Sequence, residues 1–342
     1  MSQPNKILVV GPSWVGDMVM AQSLFKVLKQ KHPDCSIDVL APEWTFSLLD
    51  RMPEVAEAIP MPLGHGSFGW AERKRIGHAL RAKDYQQSIT LPNSWKSALI
   101  PWFANIPKRT GYIGELRWGL LNDARKLDKT VLTMTVQRFV SLGHQTDALQ
   151  PPDYPAPTLT IQPEILPALR DKFGLSEKKQ PILGLCPGAE YGPAKCWPAE
   201  HYAEIANQKL AEGWAVAIFG SQKDQKTSEA INQLTQNRCF DFSGKTTMGE
   251  AIDLMSLTTV IISNDSGLMH VAAALGKKLV ALYGSSDPKF TPPLNEQSRI
   301  ITLNLDCSPC FKRECPYGHY DCLKGITPEQ VAKRIEGLME SS

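Results

Sequence analysis

No uncharged run in the 342-residue sequence approaches the roughly 18 residues that a membrane-spanning helix requires. The apolar stretch near the start, residues 7–16, is interrupted by Gly11 and Pro12, followed by Asp17, and lacks a small-residue cleavage site, so no secretion signal is expected. Charge of one sign is scarce as well: 37 Lys and Arg stand against 35 Asp and Glu. A protein that grips nucleic acid usually carries a strongly basic stripe, and a nucleic-acid partner is therefore not expected. No two Asp residues stand two positions apart, which removes the D-x-D pair that metal-dependent sugar transferases use to hold a divalent ion. H-E-x-x-H and G-x-S-x-G are absent too, and two common hydrolase chemistries go with them. These absences leave a soluble, cytoplasmic chain as the expectation.

What is present is apolar patterning. Hydrophobic residues make up 42% of the chain, ample for two cores at this length. Short β-branched runs alternate with longer amphipathic stretches, the pattern of βα units in a parallel sheet. Strands are expected at residues 6–11, 37–41 and 88–91, with helices at 17–31 and, strongly basic, at 71–83. Six prolines between Leu149 and Leu169 mark a boundary, because neither a helix interior nor a central strand tolerates that density. The pattern then restarts, with strands expected at 181–186, 214–220, 260–263 and 278–283. Two Rossmann-like domains are predicted, residues 1–155 and 156–342, facing each other across a cleft, with ligands beyond the carboxyl ends of the strands. Charge is unevenly shared, with 18 Lys and Arg against 13 Asp and Glu in residues 1–150 and 19 against 22 in the remainder. The first half could thus serve a small anionic partner.

Three strand-end loops carry chemistry. Gly11-Pro-Ser-Trp-Val-Gly-Asp-Met18 has the glycine spacing of a phosphate loop, but Asp17 stands where that loop has Lys, and a carboxylate repels phosphate. Nor does it match G-x-G-x-x-G. Asp17 is placed either to take a proton from a substrate hydroxyl or simply to face the helix dipole. In Ser263-Asn-Asp-Ser-Gly-Leu-Met-His270, Ser266 suits an N-cap and Gly267 admits a close ligand, so the first amides of a helix at 268–275 could cradle a diphosphate. Asp265 would repel that phosphate and is expected on sugar hydroxyls; an ordinary capped helix explains the same residues. In the loop 186–198, Lys195 could neutralise charge on a departing phosphate or be a solvated surface lysine.

Four of the eight cysteines crowd into sixteen residues as Cys307-x2-Cys310-x4-Cys315-x6-Cys322, with His319 among them. Such clustering in a cytosolic chain suggests a structural metal more readily than disulfides, although the spacing matches neither a zinc ribbon nor the usual iron–sulfur runs. A reduced, structural loop is the alternative.

Taken in order, Gly11-Pro-Ser-Trp-Val-Gly-Asp-Met18, Arg51-Met-Pro-Glu-Val55, Ile59-Pro-Met-Pro-Leu-Gly-His-Gly66, Leu91-Pro-Asn-Ser94, Cys186-Pro-Gly-Ala-Glu190, Gly192-Pro-Ala-Lys195 and Asn264-Asp-Ser-Gly-Leu-Met-His-Val-Ala-Ala-Ala-Leu275 resemble the family 9 glycosyltransferases, the ADP-heptose:lipopolysaccharide heptosyltransferases, along nearly the whole chain. The resemblance implies a GT-B fold, with an amino-terminal acceptor domain and a carboxyl-terminal nucleotide-sugar domain that includes the Cys-rich loop 307–322 and a final helix. It implies inverting transfer of L-glycero-D-manno-heptose from ADP-L-glycero-β-D-manno-heptose to heptosyl-Kdo2-lipid A, at the inner face of the inner membrane, with no cofactor required. By resemblance Asp17 is the catalytic base and Lys195 the phosphate-binding lysine. Ser13, Gly188, Asp224, Thr246, Met248, Asp265, Ser266, Gly267, Leu268 and His270 fall on the donor side. Gly188 and Ala189 replace a Thr pair of the members that act on Kdo itself, which favours the heptosylated acceptor and leaves backbone amides to do that work. The Cys cluster is not shared by every member.

That acceptor is anionic, and Arg73, Lys74, Arg75, Asn93, Lys96, Arg109 and Arg117 in the first domain are expected to meet it, although a solvated helix face also explains the basic run from Arg73 onward. Transfer onto Kdo and a non-catalytic nucleotide-sugar-binding role are the rival functions. A nicotinamide enzyme would need the glycine fingerprint that the first loop lacks.

Overall fold

The computed structural model describes residues 5–64, 66–144, 150–175 and 180–340. The chain divides into two compact units, Met1–Pro157 and Thr158–Ser342. The first is built on strands β1 (Lys6–Val10), β2 (Ser36–Ala41), β3 (Glu57–Pro60), β4 (Gln87–Thr90), β5 (Lys108–Tyr112) and β6 (Asp123–Arg125). Their order is β3-β2-β1-β4-β5-β6, and every neighbouring pair is parallel. Ile7, Leu8 and Val9 are fully buried, as a central strand covered on both faces requires.

Strand order reverses between β1 and β4, so the loops that leave their carboxyl ends are neighbours. This is the switch point at which open α/β sheets bind ligands. Gly11 makes the turn after β1 feasible: a Cβ there would lie 2.7 Å from Met18 Cε and 3.1 Å from Val39 Cγ1. The helix that follows is Val15–Lys31, two residues longer at its start than expected. The basic helix covers Trp70–Leu80 and tightens into a 3-10 turn at Arg81–Lys83. Its Ile76 and Leu80 pack against Leu8, Val10 and Leu40, while Trp70, Lys74 and His78 face solvent.

The second unit repeats the plan with β7 (Ile182–Cys186), β8 (Ala215–Ile218), β9 (Phe240–Asp241), β10 (Val260–Asn264), β11 (Lys278–Leu282) and β12 (Ser298–Ile301). The order is β12-β11-β10-β7-β8-β9, again parallel throughout. The switch point is now β7 and β10, where Ser263 lies opposite Cys186. The loops after these strands therefore emerge side by side although nearly 80 residues separate Pro187 from Asn264, a contact closed by the Asn264 side chain.

The Pro-rich stretch is tied down by hydrogen bonds at both ends. Ser23 Oγ donates to Pro155 O at 2.7 Å, and Gln162 N–H donates to Asp253 Oδ1 at 2.8 Å. Among the described residues no helix is long and apolar enough to cross a membrane.

Candidate active site

At the β7/β10 switch point the polar residues converge on Asp265. Its carboxylate is buried, pairs with the Lys195 ammonium and accepts a hydrogen bond from Ser286 Oγ. Lys195 arrives from a 3-10 turn, Pro193–Lys195, in the loop after β7, and Ser286 from the loop after β11. The Lys195 ammonium also stands 5.0 Å from the centroid of the Tyr191 ring. Buried Asn264 sets this geometry: its Nδ2 donates to Pro187 O at 2.6 Å, while its Oδ1 accepts from Trp197 N–H at 3.1 Å and Tyr202 Oη at 3.0 Å. With one residue bonding both ends of the Lys195 loop, the ammonium is held beside the start of the next helix, Gly267–Ala274.

Ser266 occupies the N-cap of that helix with extended backbone, yet its side chain makes no cap bond; its Oγ lies 3.4 Å from Ser263 Oγ. Gly267 and Leu268 are half-buried beside it. A cation and a helix amino terminus at one place favour an anion. An ammonium has three donors, so Lys195 can hold Asp265 and still reach a phosphate oxygen.

His270, one turn further along, is buried. Burial above all, with Lys195 adding and Asp265 opposing, pushes its imidazole down to about 4 from an ordinary value of 6.5. It is neutral at physiological pH and can meet a sugar hydroxyl only through hydrogen bonds. In the unfolded chain it protonates near 6.5, so folded stability is lost as pH falls: about 1.4 kcal/mol per pH unit between about 6.5 and about 4. Thermal unfolding at pH 7 and pH 5 should show this drop in the parent and a shallower one in His270→Gln; parallel curves would contradict the assignment.

Gly188 passes directly over the Asp224 carboxylate, so that any side chain at 188 would collide with it. Asp224 Oδ2 in turn accepts from Ser221 N–H at 2.7 Å and Ser221 Oγ at 2.8 Å, closing a capping box at the carboxyl end of β8. Thr246, in the loop after β9, and Met248, the first residue of the helix that follows, are half-buried. The residue between them, Thr247, caps the helix Met248–Ser256 reciprocally with Glu250, accepting from Glu250 N–H at 3.2 Å while its own N–H donates to Glu250 Oε2 at 2.8 Å.

In the first unit Asp17 is the third residue of its helix, half-buried, close behind the β1 turn, and Ser13 lies half-buried in that turn. Asn93 and Lys96 stand in the loop after β4, Asn93 exposed and Lys96 with its ammonium donating to Ser67 O at 3.0 Å. Lys74 is exposed, as is Arg75, which pairs with Glu72 at 2.6 Å.

Three of the arginines expected at the acceptor, Arg73, Arg109 and Arg117, donate to backbone carbonyls of their own unit. Arg117 is 1% exposed, and its guanidinium donates to Pro92 O at 2.7 Å and to Tyr112 O, tying the loop after β4 to the loop after β5. Arg73, 4% exposed, donates to Phe68 O at 2.7 Å and Lys96 O at 3.2 Å. Arg109 donates to Leu120 O and Ile106 O, both at 2.7 Å. A planar fork of five donors is well suited to gathering carbonyl groups at strand-end loops, and each of these side chains does so.

The four clustered thiols are free and half-buried. Among the described residues no three His, Cys, Asp or Glu side chains are grouped so as to hold a metal ion.

The glycosyltransferase family 9 (heptosyltransferase) model matches residues 73–321. The chain is 48% identical to lipopolysaccharide heptosyltransferase 2 of Salmonella typhimurium, over 98% of both chains. It is 45% identical to lipooligosaccharide heptosyltransferase 2 of Haemophilus influenzae, over 97% of this chain and 99% of that one. The solved structure of E. coli ADP-heptose LPS heptosyltransferase II superposes with a TM-score of 0.88 at 43% identity, covering 98% of this chain and all of that one. With these full-length relatives and two Rossmann-like units of the GT-B class, the chain belongs to glycosyltransferase family 9, the heptosyltransferases.

Proposed function

We propose that this enzyme transfers L-glycero-D-manno-heptose from ADP-L-glycero-β-D-manno-heptose to the first heptose of the lipopolysaccharide inner core, heptosyl-Kdo2-lipid A. The observation that carries the reading is the Lys195–Asp265–Ser286 cluster at the start of the helix Gly267–Ala274, a cation and an amide cap at one switch point. The likeness to proteins named heptosyltransferase 2 supports the choice of acceptor over Kdo itself.

In the proposed reaction an acceptor hydroxyl attacks the anomeric carbon from the face opposite the diphosphate. The new C–O bond forms as the old one breaks, the configuration inverts, and the bonding pair leaves with ADP. Asp17 takes the hydroxyl proton late, when that oxygen has become acidic, so an ordinary carboxylate is basic enough. Lys195 and the amides around Gly267 meet the charge that grows on the diphosphate. Asp265 and His270 face sugar hydroxyls, and Asp224, under Gly188, is assigned to the ribose with Thr246 and Met248 beside the nucleotide. No metal takes part in the step, and a structural metal at Cys307, Cys310, Cys315 and Cys322 is not needed for it.

A lipid-linked acceptor implies work at the cytoplasmic face of the inner membrane. Supporting this, Phe68, Trp70, Trp95 and Trp102 are 36–47% exposed, with Phe68 stacked on Trp70 and Trp95 at 5.9 and 5.7 Å and with Lys74 on the solvent face of the Trp70 helix. Aromatic rings beside cations suit an anionic lipid interface. Trp70→Ala combined with Trp95→Ala should weaken sedimentation with phosphatidylethanolamine–phosphatidylglycerol vesicles, yet leave turnover of a de-acylated acceptor within about twofold. Equal vesicle binding by parent and variant would refute the membrane contact.

The deciding experiment incubates purified protein with ADP-heptose and core acceptors ending in Kdo or in the first heptose, followed by mass spectrometry. A heptose added only to the heptosylated acceptor is expected. Addition to the Kdo-terminated acceptor, or ADP release without acceptor, overturns the reading.

A further inference from the structure

The Cys-rich segment, which the transfer reaction leaves unused, touches both arms of the Asp265 cluster. On the first arm, Tyr191 Oη donates to Phe311 O at 2.6 Å and Ala194 N–H donates to Arg313 O at 3.0 Å. Gly192, at φ 150°, passes so close that a Cβ would lie 2.5 Å from Arg313 O. On the second arm, Phe311 N–H donates to Ser285 O at 2.7 Å and Ser308 Oγ donates to Gly284 O. Cys322 Sγ lies 3.1 Å from where a Cβ on Gly284 would stand. The first arm ends in Lys195 and the second in Ser286, and both of these side chains meet on Asp265. The Tyr191 ring has Lys195 Nζ 5.0 Å and Arg313 Cζ 5.4 Å from its centroid.

We propose that residues 307–322 are a positioning brace for the donor side of the site. Through Tyr191, latched by its hydroxyl to Phe311 O, the brace sets where the Lys195 ammonium stands. The proposal rests on the assignment of Lys195 to the donor diphosphate. It also gives the clustered cysteines a role that needs neither metal nor disulfide. Backbone N–H groups of the turn, that of Tyr320 foremost, hold the Cys315 thiol below its usual range. Gly318 N–H donates to Cys315 O at 3.1 Å, and the Tyr317 and His319 rings stack at 5.6 Å. The turn is thus closed through the Cys315 carbonyl, and Cys322 Sγ lies close against Gly284.

Tyr191 is a positioning residue on this view, because it acts through Lys195. Tyr191→Phe keeps the ring and removes the latch. It should lower kcat/KM for ADP-heptose about 5- to 10-fold, the scale of one lost hydrogen bond plus some misplacement, and leave the acceptor KM unchanged. The decisive measurement is the same substitution in a Lys195→Ala background, where it should change kcat/KM by less than about twofold. A full-sized loss in that background shows that Tyr191 acts independently of Lys195 and overturns the brace, as does an unaltered kcat/KM for Tyr191→Phe alone. If Lys195→Ala itself leaves ADP binding and turnover intact, the donor-site assignment falls and the brace falls with it.

Discussion

Asp17→Asn is expected to lower kcat by about 10²- to 10⁴-fold while ADP binding stays within about twofold, since general-base catalysis contributes on that scale. The exchange is nearly isosteric, so it should leave the turn before Met18 and the helix behind it in place while removing the negative charge and with it the capacity to accept a proton. A carboxylate at the third position of a helix has a second use, which is interaction with the amino-terminal end of the dipole. That use is worth about 0.3–1 kcal/mol of stability and nothing in the rate equation. The two roles therefore separate cleanly: a base shows in kcat with little change in thermal midpoint, a dipole partner shows in the midpoint with kcat preserved. Near-normal turnover by Asp17→Asn would remove Asp17 from the mechanism. The acid limb of the pH–rate profile should vanish in the variant, because the group whose protonation shuts the reaction down is gone.

Lys195→Met should be nearly as damaging, by a different route. Loss of a donor aimed at developing negative charge costs about 10²- to 10³-fold in kcat, and ADP affinity should fall with it. The same change strands the Asp265 carboxylate, 5% exposed by its side chain, with Ser286 as its remaining side-chain partner. A buried polar group deprived of its partner costs about 1–3 kcal/mol, more when it is charged, so the thermal midpoint should also drop. Adding Asp265→Asn removes the stranded charge and should restore much of the lost stability, but not the turnover. Thermal unfolding, calorimetric titration with ADP and kcat on the two variants distinguish the roles. Recovery of turnover in the double variant would make Lys195 a structural counter-ion.

The arginines show where charge counting stops being informative. Residues 73, 109 and 117 read alike in the sequence, as cations in a domain with surplus positive charge. In the structure each guanidinium gathers backbone carbonyls at the ends of loops, and Arg117 is buried deeply enough that its pKa is pushed down to about 10. Nothing local separates an arginine that will be folded inward from Lys74 or Arg75 on the surface, because the carbonyls that claim it lie on other loops: Pro92 is 25 residues from Arg117 in sequence. Tyr191, Asn264 and Ser286 were silent for the same reason. Each is a common residue whose partners, Phe311, Pro187 and Asp265, are 120, 77 and 21 positions away.

The strands β3, β5, β6, β9 and β12 escaped notice because edge and near-edge strands of two to five residues carry too few alternating or apolar positions to form a pattern. Asp123-Ala-Arg125 and Phe240-Asp241 are strands because a neighbouring strand offers a ladder, not because of their own composition. The central strands were legible because burial on both faces demands continuous apolar runs, and residues 7–10 and 260–262 meet that demand.

Local chemistry in the chain was enough to specify two βα series, a Pro-rich joint, the glycines that let loops turn tightly at strand ends, and an ordered set of motifs that places the family. Those features depend on residues within a few positions of one another, through backbone freedom, periodic apolarity and turn geometry. Folding decided which cations are free and which are consumed, and that Lys195 and Ser286 share one carboxylate. It also decided that a Cys-rich segment more than a hundred residues downstream leans on the Lys195 loop. The physical reason is that strand order and desolvation are long-range: parallel pairing of β7 with β10 brings two remote loops together, and only in that company does a buried charge acquire the partners that make its burial tolerable.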